Sequence, residues 1–165
     1  MLRRSLVVAI AAAALTAPAS AGNENGVPMS ASGGYRFSTS SVDVGPFTWH
    51  VQLHADGSVD GGYDYTQVSS STGAALTVKG PLTCAVIIGN HVWVGGIIEE
   101  SSRDSLIGLN MWFQAQDSGE GANAPPDMST TIGAGGPGTA QQYCDDHPPA
   151  LFPHLIERGN LQVSS

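Results

Sequence analysis

Basic residues are scarce in this chain: six Lys and Arg stand against fourteen Asp and Glu, a formal net charge of −8 with the histidines neutral. Arg3 and Arg4 sit at the amino terminus, and Arg36, Lys79, Arg103 and Arg158 are scattered along the rest. A surface of that sign repels phosphate backbones and anionic headgroups, which argues against nucleic-acid binding. Cysteine is nearly absent too. Cys84 and Cys144 lack the C-x-x-C spacing and the histidine-rich setting that would favour a nucleophilic or metal-bound thiol, although His147 follows Cys144 closely. Beyond residue 21 no apolar run is long enough for a membrane helix. No G-x-S-x-G sequence occurs, so the nucleophile elbow of hydrolases is missing. The stretch Gly133-Ala-Gly-Gly-Pro-Gly138 contains Pro137 and shows no helix after it, so it reads as a connection rather than a phosphate-cradling loop.

The one long apolar run is Leu6 to Leu15, LVVAIAAAAL. It is short for a bilayer span, follows two arginines and precedes Ala19-Ser20-Ala21, the order of a secretory signal peptide. Cleavage is expected after Ala21, leaving 165 − 21 = 144 residues with a net charge of 4 − 14 = −10. The paired arginines leave both general and twin-arginine export open. A chain maturing in an oxidising compartment with two cysteines is expected to pair them, so Cys84 and Cys144 should form a disulfide. The hydrophobic content of 41% argues for a folded domain, and the length fits one.

Residues 22–34 are rich in Gly, Asn and Ser and read as a flexible lead-in, with a single β domain over 35–165. Phe47, Trp49, Val51 and Leu53 alternate with Thr48, His50, Gln52 and His54, the pattern of a half-buried strand. Asp56-Gly57 turns it, and Val59, Tyr63 and Tyr65 carry a return strand. A second hairpin is expected around Gly89-Asn90, with Ile88 opposite His91, Ile87 opposite Val92 and Val86 opposite Trp93. That register puts Cys84, Val86, Ile88 and Trp93 on one face and Ala85, Ile87, Val92 and Val94 on the other. Both faces are apolar, which makes the hairpin central. Residues 105–116 read as a further strand, with a helix as runner-up; 128–132 could add a short strand, 139–144 a turn or short strand, and 160–164 a closing strand. The fold class is therefore all-β: a single antiparallel meander forming a barrel or sandwich.

His50 and His54 resemble a metal pair, but four strand positions span roughly 13 Å, too far for one ion. They read as solvent-face histidines. The segment from Asp117 to Asp127, DSGEGANAPPD, is the leading site candidate. Asp117, Glu120, Asn123 and Asp127 supply hard oxygens that suit calcium, without matching the helix-loop-helix signature, and no other cofactor is expected. Two of these carboxylates could instead serve as general acid and base, or the acidic groups could cap backbone amides in a rigid turn.

Asp117-Ser-Gly-Glu-Gly with Pro125-Pro126-Asp127, Gly89-Asn90 before Trp93-Val-Gly-Gly96, and Gly138-Thr-Ala with Tyr143-Cys144 resemble a group of small bacterial exported proteins of uncharacterised function. The similarity runs from about Gly57 to Val163. It implies export and a common β domain, and brings no activity, cofactor or catalytic residue. Two functions stay open: a non-catalytic β domain binding an extracellular or envelope ligand or protein, and a small hydrolase or isomerase using the carboxylates of 117–127.

Overall fold

The computed structural model describes residues 28–121, 123–151 and 153–164; the expected signal peptide and cleavage site lie outside them. The strands are β1 (Met29–Ser38), β2 (Val42–Leu53), β3 (Val59–Ser69), β4 (Ala75–Ile88), β5 (His91–Ile97), β6 (Glu100–Ser101), β7 (Asn110–Gln116), β8 (Met128–Ser129), β9 (Gly133–Gly135), β10 (His154–Leu155) and β11 (Arg158–Ser164). Among the described residues one α-helix, α1 (Thr139–Asp146), interrupts them. Every pairing is antiparallel, in the order β10-β8-β7-β5-β4-β3-β2-β1-β11, with β6 beside β4 and β9 beside β7. Among the described residues no helix is long and apolar enough to cross a membrane.

The sheet curls because β4 serves two neighbours in turn. Its first half, to Pro81, pairs with β3, and its second half, from Leu82, pairs with β5. The inward face of β1 to β3 is thereby turned onto the inward face of β5 and β7. Alternation decides which residues meet there. Phe47, Trp49, Val51 and Leu53 are buried while Thr48, His50 and Gln52 are exposed. Phe47 lies at the centre, its ring edge-on to Tyr65 at 4.9 Å, Tyr35 at 5.2 Å and Phe113 at 4.8 Å. Tyr35 Oη, hydrogen-bonded to Ser129 Oγ at 2.7 Å and accepting from Trp49 Nε1 at 3.0 Å, ties β1 to β8 across the seam. Burial pushes its phenol well above the usual tyrosine range, so it stays neutral and able to donate.

The hairpin at Gly89-Asn90 adopts the register that its turn residues dictate. Ile88 pairs with His91, Ile87 with Val92 and Val86 with Trp93. Ala85, Ile87, Val92 and Val94 join the main core, whereas Cys84, Val86 and Trp93 form a second cluster on the outer face with Cys144. A disulfide joins Cys84 to Cys144 across 60 positions of sequence.

Four expectations need correction. The strand β1 begins at Met29, inside the stretch read as a lead-in, and pairs with β2 on one side and β11 on the other. Its inward position Gly33 lacks a side chain because neighbouring rings fill the space: a Cβ there would stand 2.5 Å from the Tyr35 ring. A strand built that way shows little apolar alternation. Residues 105–116 are not one strand; a 3-10 turn occupies Asp104–Leu106, the chain bends back at Gly108, and β7 starts at Asn110. The turn or short strand expected over 139–144 is the helix α1, which buries Ala140 and Cys144 on the outer face of β4, β5 and β7. A helix therefore does follow the glycine-rich stretch 133–138, whose first residues form β9.

Candidate functional site

Of the expected site residues, Asp117, Glu120 and Asp127 gather along the last strand. On one side β11 pairs with β1, which leaves amides on its other edge without strand partners. Asp127 Oδ2 accepts from Leu161 N at 3.2 Å, and Asp117 Oδ2 accepts from Val163 N at 3.0 Å. The remaining oxygens brace the loop itself: Asp127 Oδ1 accepts from Ser118 N at 2.8 Å and Asp117 Oδ1 from Gly119 N at 2.7 Å. Glu120 Oε1 accepts from Asn160 Nδ2 at 3.2 Å, and Asn123 is exposed. Of the three roles open to these groups, the capping of backbone amides is the one that the contacts of Asp117 and Asp127 perform. No group of three or more His, Cys, Asp or Glu side chains among the described residues is placed to hold a metal ion. His50 stands exposed on β2, and His54 Nε2 meets Asp60 at 2.8 Å beyond the strand end.

Asp127 holds two separate segments, so its replacement tests that capping. In Asp127→Asn an amide nitrogen must face one of two backbone N–H groups, and a half-buried donor loses its acceptor. The expected loss is about 1–3 kcal/mol of stability in chemical denaturation, with faster hydrogen exchange at Leu161. A change within about 0.5 kcal/mol would assign the edge strand to other contacts.

A different cleft arises on the outer face, where α1 covers part of β7. Alternation that sends Met111, Phe113 and Ala115 into the core sends Trp112 and Gln114 outward. Trp112 pairs with Gly133 of β9, and a Cβ there would fall 2.4 Å from the indole, so only glycine lets the ring lie against that backbone. Tyr143 of α1 faces it, ring centres 5.9 Å apart and planes inclined by 31°. Behind Tyr143, the disulfide at Cys144 anchors the helix to β4. Pro148, Pro149 and the 76% exposed Leu151 close the far side of a cleft of about 240 Å³, with Thr130 and Thr131 opposite.

Gln114 forms the floor of this cleft and is 3% exposed. Its Nε2 donates to Tyr143 Oη at 2.9 Å and to the Pro148 carbonyl at 3.3 Å. The carbonyl, which also accepts from Trp93 Nε1 at 2.8 Å, can only accept, so it fixes which end of the carboxamide is nitrogen. The other end, Oε1, is buried without a hydrogen-bond partner, the one such side-chain atom among the described residues. Leaving a buried acceptor unsatisfied costs about 1–3 kcal/mol, a cost a bound donor would remove. Burial raises the Tyr143 phenol above its ordinary range, with the Gln114 hydrogen bond opposing in part, so its hydroxyl remains protonated at neutral pH.

A groove of about 460 Å³ lies on the outer face of β2 to β4 and includes Thr48, His50, Asp64 and Glu100. Its Lys79 is already paired with Glu100 at 3.0 Å. Neither this groove nor the aromatic cleft includes Asp117, Glu120 or Asp127. Nothing in the spacing of Trp112, Gln114 and Tyr143 marked them as a site; the usable signal was a Trp and a Gln on the less apolar face of β7, which needed α1 to make it concave. Compared with protein-family models, curated proteins and solved structures, the chain matches none.

Proposed function

We propose that this protein is an exported, non-catalytic binding domain that captures its ligand in the cleft of Trp112, Gln114 and Tyr143. The observation that carries the reading is a cleft lined by two inclined aromatic rings, Trp112 and Tyr143, and by the buried Gln114, whose Oε1 has no partner. Concave sites of this kind bind by apolar contact along their walls and fix orientation with a few polar groups. Export is supported by the amino-terminal arginines, apolar run and Ala19-Ser20-Ala21, and by a disulfide of the sort that persists outside the reducing cytosol. Binding is favoured over carboxylate catalysis because the oxygens of Asp117 and Asp127 are spent on backbone amides.

The test is an NMR titration of the folded, oxidised protein with small donors: acetamide, methanol, glucose and methylguanidinium. At least one should shift the Trp112 indole and Gln114 carboxamide resonances, and Gln114→Leu should reduce that response several-fold while keeping the spectrum of a folded domain. A panel in which no compound moves these signals would overturn the reading.

A further inference from the structure

Resting on the binding role of this cleft, we propose that its occupant is the guanidinium of an arginine presented by a basic peptide or protein. Gln114, which lines the cleft, carries an unsatisfied acceptor in Oε1, so a ligand that reaches it must bring an N–H or O–H donor. The walls are the faces of Trp112 and Tyr143, whose ring quadrupoles attract a cation laid over them. Guanidinium is the side-chain cation that both stacks on a ring and donates in its own plane.

The electrostatic setting has the same sign. The cleft opens at the carboxy-terminal end of α1, the negative pole of the helix dipole. Asp146, three positions after Tyr143 and so on the same side of the helix, is exposed there. Among the described residues no Lys or Arg lines the cleft; Arg36, Lys79, Arg103 and Arg158 lie on β1, β4, the turn before Asp104 and β11. The imidazoles of His91 and His147 lie against Trp93 instead, His91 tilted at 4.7 Å and His147 edge-on at 5.7 Å. A net charge of −8 draws basic partners toward the whole surface. A peptide source is favoured over free arginine because the free carboxylate would find no cation and would face Asp146. Exposed Leu151 and Pro149 beside the opening offer apolar contact to a peptide backbone.

The probe is acetyl-Gly-Arg-Gly-amide titrated into the oxidised protein and followed at the Trp112 indole and Gln114 carboxamide resonances. Saturable binding is expected, at least tenfold tighter than for the citrulline peptide, which has nearly the same shape without charge, and several-fold tighter than for free L-arginine. Trp112→Ala should abolish it. Asp146→Asn, an exposed change that leaves the fold alone, should weaken it about two- to threefold, with the difference shrinking in high salt. Equal binding of citrulline and arginine peptides would overturn the cation, and tighter binding of free arginine would overturn the peptide source. If the arginine peptide leaves the cleft silent while a neutral donor shifts Trp112, the proposal fails and the binding cleft stands; if neither moves it, both fail.

Discussion

Replacing Phe47 with alanine is expected to cost about 3–5 kcal/mol, the range for truncating a fully buried phenylalanine. The ring is 0% exposed and touches aromatic neighbours from both halves of the curled sheet: Tyr35 and Tyr65 on β1 and β3, and Phe113 on β7. Removing it therefore opens a void where the halves meet, and the long strands around it leave little freedom to collapse. Edge-to-face pairs add to the transfer contribution, each worth about 0.5–1.5 kcal/mol beyond area. Since domains of this size are stable by only about 5–15 kcal/mol, the variant should unfold at a markedly lower urea concentration with an unchanged slope. A loss below about 1 kcal/mol would mean that the two halves do not share one core.

The second large effect is expected at the disulfide. Closing 60 positions of chain removes unfolded-state entropy worth about 4 kcal/mol at room temperature on the loop-closure model. Cys84→Ser together with Cys144→Ser should lower the melting temperature by on the order of 10–20 °C, and the reduced parent protein should melt close to the double variant. A local consequence separates this from a uniform weakening. Tyr143 adjoins Cys144, so without the tether α1 lifts from β5 and the Gln114–Tyr143 hydrogen bond loosens. Exchange broadening should then appear first at Trp112 and Gln114. If broadening instead began at Phe47 and Tyr65, the disulfide would be serving the main core and not the helix.

Residues whose partners are near in sequence were legible, and those whose partners are remote were not. Gly89-Asn90 fixes its hairpin locally, and the pairs Ile88–His91, Ile87–Val92 and Val86–Trp93 follow from counting back from the turn. The split of that hairpin into two apolar faces also followed, because alternation needs no knowledge of what covers each face. What covers the outer face is α1, and its eight residues offered only Ala140, Tyr143 and Cys144 at helical spacing, followed by two aspartates unfavourable at a helix end. With the helix missed, nothing made the face of Trp112 and Gln114 concave, and the cleft could not be drawn. The loop from Asp117 to Asp127 shows the converse. Its carboxylates stood out in the sequence, but their partners, the amides of Leu161 and Val163, lie more than thirty residues away. Composition marked the segment as special without revealing that the amide edge of a strand was what it served.

The pairing of the first described strand with the last has a kinetic consequence. Ser30 lies opposite Ser164 and Arg36 opposite Arg158, contacts that span nearly the whole described chain. Folding slows as contacting residues lie farther apart in sequence, because the entropy of bringing distant segments together is lost before their contacts stabilise anything. Until Arg158–Ser164 has arrived, β1 presents an unpaired row of amides and carbonyls, the kind of edge that recruits other chains. The carboxylates of Asp117 and Asp127 guard the finished molecule at the opposite side of the same late-arriving strand. Self-association through the free edge of β1 thus stays open until the final strand docks.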